Sequence, residues 1–205
     1  MNLPNKLTLS RFGLTVAFLV VMFSQMPFHQ TIALALFVAA GISDFLDGQI
    51  ARRRKLITNF GILMDPLADK IMVCSAFIAL VELGAAHESV VRFAAWMAVV
   101  IVARELAITG LRLLAASKNV VLAAEGYGKH KTVSQIVAVI AIFIANIIAR
   151  NEWGSVGQAI FGWPISSHSW AWWVAEIFKW VAVVLTFISG ALYLWKNRAL
   201  YLDDM

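Results

Sequence analysis

Gly41-Ile42-Ser43-Asp44-Phe45-Leu46-Asp47-Gly48-Gln49-Ile50-Ala51-Arg52 is followed, after eight residues, by Gly61-Ile62-Leu63-Met64-Asp65-Pro66-Leu67-Ala68-Asp69-Lys70. The first stretch closes an apolar run that starts near Thr31, and the second opens one that continues to Leu83. Asp44 and Asp47 are three residues apart and Asp65 and Asp69 four, so each pair shares a helix face. The joining segment is short, so the two helices are expected as antiparallel neighbours, with both carboxylate pairs at one depth. Four such carboxylates would repel and raise one another's pKa. Mg²⁺ or Mn²⁺, which take hard oxygen ligands, removes that repulsion, and two ions neutralise the four charges. A two-metal carboxylate site suits phosphoryl chemistry. One acidic residue at the end of a span commonly faces headgroups or pairs with an arginine. Four at helical spacing, interleaved with glycines and Arg52, do not fit that bland account, because ionisable residues inside spans are costly and mark function.

The rest of the chain places these residues in a bilayer. Of 205 residues 61% are hydrophobic and 14% charged, against about 45–50% apolar and about 25% charged in soluble domains; the mean hydropathy is +0.79. A bilayer core about 30 Å thick needs roughly 20 apolar residues in a helix. Six segments qualify: Thr8 to Met26, Thr31 to Arg52, Gly61 to Leu83, Val90 to Ala115, Thr132 to Ala149 and Trp170 to Trp195. The first reads as a span rather than a secretory signal, because its apolar stretch is long, no small-residue cleavage site follows, and five more spans come after it. The expectation is an all-α membrane protein of six transmembrane helices, a single domain over residues 1–205, without internal repeats. The lone cysteine, Cys74, allows no internal disulfide.

The net charge is +5, and its placement matters more than its sum. Arg52, Arg53, Arg54 and Lys55 follow the second span; Arg112, Lys118, Lys129 and Lys131 surround the loop after the fourth. The opposite loops hold chiefly Arg92 and Arg150. The positive-inside rule then puts both termini and both basic loops in the cytoplasm. A nucleic-acid protein would spread such charge over a soluble face, so nucleic acid is not an expected partner. Trp153, Trp163, Trp170, Trp172 and Trp173 fall in or beside the opposite loop, where indoles anchor at the headgroup zone. Glu176 and Lys179, three apart in the sixth span, are expected to pair.

Asp44, Asp47, Gly48, Ala51, Arg52, Gly61, Asp65 and Asp69 match, at every spacing, the Asp-x₂-Asp-Gly-x₂-Ala-Arg-x₈-Gly-x₃-Asp-x₃-Asp signature of the CDP-alcohol phosphotransferases. The chain resembles that family in its six-span layout as well. The resemblance implies a bundle in which Asp44, Asp47, Asp65 and Asp69 bind metal and Asp69 also acts as general base. It implies that Gly48, Arg52, Thr58 and Gly61 contact the CDP moiety. Glycine admits close backbone approach, and the guanidinium of Arg52 presents a planar fork to diphosphate oxygens. Pro4-Asn5-Lys6-Leu7-Thr8-Leu9-Ser10-Arg11 is similar to the opening of many bacterial members, which places Asn5 and Thr8 near the nucleotide; without the resemblance, Thr8 reads as a helix N-cap. A homodimer in the cell membrane is also implied.

Arg104-Glu105, Gly110-Leu111-Arg112 and Gly128-Lys129-His130-Lys131-Thr132 with Gln135 resemble elements of the branch that uses glycerol 3-phosphate as acceptor. Arg112, Lys129 and Lys131 would meet its phosphate, although topogenic charge explains the same residues. Arg104 reads equally as a ligand or as an ion-pair partner of Glu105, and His130 as a solvated loop residue. The resemblance thus implies transfer of the phosphatidyl group of CDP-diacylglycerol to glycerol 3-phosphate, releasing CMP. Rivals are another acceptor (inositol phosphate, serine, or phosphatidylglycerol giving cardiolipin), an ion-coupled transporter, and a structural scaffold. Transport sites lie near the bilayer midplane between repeated halves, whereas these aspartates lie at one edge. A scaffold leaves their charge unexplained.

Overall fold

The computed structural model describes residues 3–24, 26–54, 59–86, 89–118, 120, 127–165 and 167–202. At 3–8, 44–54, 59–63, 65–66, 127–129 and 202 the description is confined to the backbone. Among the described residues the protein is helical apart from one hairpin of two two-residue strands. Its long helices are α1 (Leu3–Met22), α2 (His29–Arg54), α3 (Asn59–Ala85), α4 (Ala95–Ser117), α5 (Tyr127–Ala149) and α7 (Trp170–Lys196). Between the last two lie α6 (Gly154–Phe161) and the strands β1 (Pro164–Ile165) and β2 (His168–Ser169); α8 (Ala199–Leu202) follows α7. At 1.5 Å per residue, the long helices of 20 to 27 residues measure roughly 30–40 Å.

Two of them, over His130–Ala149 and Trp170–Lys196, are long and apolar enough to cross a bilayer among the described residues. Helices α1 and α2 contribute shorter apolar stretches, Leu9–Met22 and His29–Ser43, while α3 and α4 carry Asp69, Lys70, Arg104, Glu105 and Arg112 within their length. Bulky apolar side chains such as Val99, Leu106, Phe187 and Leu192 lie exposed on the outer faces. Apolar surface on that scale marks a lipid or partner interface rather than a soluble monomer.

The core is built from aromatic residues set among many alanines. Phe18 of α1 meets Phe37 of α2 at 6.2 Å and Phe143 of α5 edge-on at 6.1 Å between ring centres. Ala76 and Ala79 on α3, Ala138, Ala141 and Ala145 on α5, and Ala175 on α7 are buried; such small residues let helix backbones approach closely without help from solvent exclusion. Helix α5 packs along α7, α1 along both α2 and α3, and α4 against α3 and α7. Among the described residues α2 and α3 each pack on α1 and α5, and both line one cavity.

Three local devices set the ends of elements. Helix α5 stops at a left-handed Asn151, φ 56°. The Glu152 amide bonds the Ile147 carbonyl and the Asn151 amide the Ile148 carbonyl, each at 3.0 Å; this pair of bonds is the Schellman closure, for which Asn is one of the few suitable non-glycine residues. Helix α2 starts where Glu152 Oε2 accepts from the backbone amide (3.2 Å) and hydroxyl (2.7 Å) of Thr31. Helix α4 starts at Ala95, not near Val90 as the hydrophobic run suggests. Ala94 is extended (φ −75°, ψ 146°), and the preceding turn is held to α5 by Asn146 Oδ1, which accepts from the Val90 amide (3.0 Å) and the Ser89 hydroxyl (3.1 Å).

Candidate active site

Asp44 and Asp47 lie one turn apart near the C-terminal end of α2, and Asp65 and Asp69 one turn apart in the first half of α3. Between Arg54 and Asn59 only residues 55–58 intervene, so chain reach keeps the two helix ends close. Gly48 and Arg52 lie in α2 and Gly61 in α3, all described as backbone, as are Asn5 and Thr8 in α1. Thr58 lies outside the described residues. Of the four aspartates, Asp69 alone has a described side chain. Among the described side chains, no three of His, Cys, Asp and Glu gather into a metal-binding cluster.

Asp69 is half-buried and lines a cavity of about 320 Å³ enclosed by α1, α2, α3 and α5. Its walls are apolar, with Phe37 and Ile42 from α2, Met72 from α3 and Ile140 from α5; among the described residues, Arg11 of α1, only 2% exposed, and Asp69 are the charged ones on it. The wall at Gly41 and Ile42 leads directly in sequence to Asp44. Apolar room thus adjoins the signature carboxylates.

A polar layer starts beside Asp69 and crosses the bundle. Lys70 Nζ donates to Thr109 Oγ1 on α4, and that hydroxyl donates to the Glu105 carbonyl one turn earlier at 2.7 Å. The Glu105 carboxylate accepts from Lys131 Nζ on α5 and from Arg104 Nη1 at 3.2 Å. Gln135, one turn beyond Lys131, continues the layer by donating to Thr186 of α7 at 2.9 Å. Glu105 and Lys131 are buried, with 7% and 4% exposure. Asp69, Lys70, Glu105 and Lys131 all lie within electrostatic reach of the half-buried thiol of Cys74, and Asp69 within that of Lys131.

The family model for CDP-alcohol phosphatidyltransferases matches residues 1–188, spanning α1 to α6 and most of α7. The chain belongs to the CDP-alcohol phosphatidyltransferase family. This phosphatidyltransferase is 37% identical to the CDP-diacylglycerol–glycerol-3-phosphate 3-phosphatidyltransferase of Bacillus subtilis, over 96% of its own length and 95% of the relative's. It is 32% identical to the protein of that name from Rickettsia bellii, over 94% and 93%, and 30% identical to that of Cereibacter sphaeroides, over 99% and 98%.

The residues expected at the acceptor end of the phosphatidyltransferase fall in different settings. Lys131 is buried against Glu105 rather than open to solvent. Arg112 is exposed, with Nε 3.5 Å from the Tyr193 hydroxyl and its guanidinium 5.9 Å from that ring's centre. Lys129 lies in the first turn of α5, described as backbone. His130 belongs to that helix rather than to a loop, and it is exposed. Arg104 does pair with Glu105, and Lys179 pairs with Glu176 at 2.6 Å while also reaching the Arg92 carbonyl at 3.1 Å. Sequence reasoning gave neither Lys70 nor Thr109 a role of its own. The available signal was an ionisable residue and a hydroxyl inside otherwise apolar helices, which need partners there.

Proposed function

We propose that this membrane enzyme transfers the phosphatidyl group of CDP-diacylglycerol to glycerol 3-phosphate, giving phosphatidylglycerol phosphate and CMP. The observation that carries the reading is the eight-residue signature over the C-terminal part of α2 and the first half of α3, with Asp69 on the wall of an apolar cavity. The names of the full-length relatives favour glycerol 3-phosphate over inositol phosphate, serine or phosphatidylglycerol as acceptor.

The donor set of Asp44, Asp47, Asp65 and Asp69 fits hard divalent cations, because it offers oxygen alone and comes as two one-turn pairs from two helices. When bound, two Mg²⁺ or Mn²⁺ ions would screen the diphosphate and favour departure of CMP. Asn5, Thr8, Gly48, Arg52, Thr58 and Gly61 would take the CDP end, and the apolar cavity gives an acyl chain a route from the bilayer. Arg112, Lys129 and Lys131 would receive the acceptor phosphate. Asp69 accepts the proton of the primary hydroxyl of glycerol 3-phosphate as that oxygen bonds to the phosphorus carrying the lipid. The bond from that phosphorus to the bridging oxygen breaks, and CMP leaves with the oxygen. The enzyme would cross the cell membrane six times, with both termini and the aspartates on the cytoplasmic side, as a homodimer.

The direct test is CMP release from CDP-diacylglycerol with a panel of alcohols. Turnover is expected with glycerol 3-phosphate, with none after EDTA and recovery on adding Mg²⁺ or Mn²⁺. Turnover with serine or inositol phosphate alone would reassign the acceptor. A retained rate in EDTA would refute the metal requirement.

A further inference from the structure

Glu105 lies among three cations, Lys70, Arg104 and Lys131, and it touches two of them directly. A buried carboxylate with a single lysine would be a closed pair, whereas this one is shared. The second cation reaches it by an unusual route. The Arg104 stem lies against α7 at Gly190, where an added Cβ would stand 2.6 Å from Arg104 Cγ and 3.6 Å from its Cβ. That contact lies near the root of the side chain, where little can give way, so the absence of a side chain at Gly190 is what seats Arg104. Arg104 then holds Glu105, and Glu105 holds Lys131 at the level of the layer that starts beside Asp69.

We propose that Glu105 is a positioning residue for the acceptor: seated by Arg104 over Gly190, it fixes the Lys131 ammonium where the phosphate of glycerol 3-phosphate is received. The inference rests on the proposed acceptor and on Lys131 as one of its phosphate partners. Its physical basis is that buried charges hold their places only when paired. Without the carboxylate, Arg104 and Lys131 repel across a desolvated gap and Lys131 leaves its seat. Glu105 itself does not touch the substrate, so its removal should weaken acceptor use while leaving the nucleotide–lipid side alone.

The test is steady-state CMP release by the detergent-solubilised full chain, varying each substrate at saturation of the other. E105Q is expected to raise KM for glycerol 3-phosphate at least tenfold while KM for CDP-diacylglycerol stays within twofold. E105D should restore most of the loss, and G190A should show the same one-sided rise, several-fold in size. An unchanged or lowered KM for glycerol 3-phosphate, or both KM values rising together, overturns the proposal and leaves Glu105 a packing residue. If E105Q is not recovered folded, G190A decides by the same criteria. An unaltered enzyme that releases no CMP with glycerol 3-phosphate fails the acceptor reading and takes this inference with it; one that does, beside variants of unchanged KM, overturns this inference alone.

Discussion

At the scale of single residues, the chemistry concentrates on Asp69. Replacing it with Asn keeps the size and polarity of the side chain and removes the basic oxygen. Asp69→Asn is expected to lower CMP release by about 10³-fold or more, given that general-base contributions are about 10²–10⁴-fold and that this residue would also ligate metal. Its melting temperature in detergent and its binding of a CDP nucleotide should stay near those of the unaltered protein, and near-normal turnover would remove Asp69 from the role of base. The neighbouring Lys70 calls for a different measurement. Its partner Thr109 is a hydroxyl on another helix, so Thr109→Val deletes a charge-assisted bond while keeping the shape. A loss of about 1.5–3 kcal/mol in unfolding free energy is expected, measurable by denaturation in detergent micelles.

Among elements, the helices themselves were largely legible, because apolar runs bounded by charge or by turn residues need no tertiary information. The second, third and last long helices start within two residues of the runs that announced them, whereas α1 and α5 start five residues early and α4 five residues late. Val90 to Ala94 is as apolar as a helix start, yet its backbone is spent on Asn146 and on the crossing from α3. Asn146→Ala should therefore cost about 1 kcal/mol, the net worth of an ordinary hydrogen bond; wild-type thermal stability would show that the turn holds without it. At the end of α5, Asn151→Gly should be close to neutral, since glycine takes a positive φ freely. Asn151→Val should cost about 1–2 kcal/mol, the penalty for a left-handed backbone with a side chain. Helix α6 and its hairpin left no trace in the hydrophobic pattern. They are built from indoles meeting carbonyls, with Trp170 Nε1 on Ile160 O at 2.9 Å and Trp173 Nε1 on Ile165 O at 3.0 Å. The Lys131–Glu105 contact was equally invisible, because a charge that looks topogenic in sequence becomes a buried partner only when two helices meet.

For the whole molecule, the bundle separates its two ends chemically. One carries the signature aspartates and the arginine run of α2; the other carries α6, the hairpin and the exposed Trp163. If the chain crosses the bilayer as proposed, cysteines placed at Ser117 and Trp163 in a Cys74→Ser background should react with an impermeant maleimide from opposite faces of sealed vesicles. Labelling of both from one face would refute the six-span topology.

The single thiol of Cys74 offers a practical consequence. With no other sulfhydryl in the sequence, a small spectroscopic tag attached there needs no engineered background and reports from one place. Asp69 and the layer of Lys70, Glu105 and Lys131 all lie within the thiol's electrostatic reach, so the tag's signal would follow filling of the site in real time.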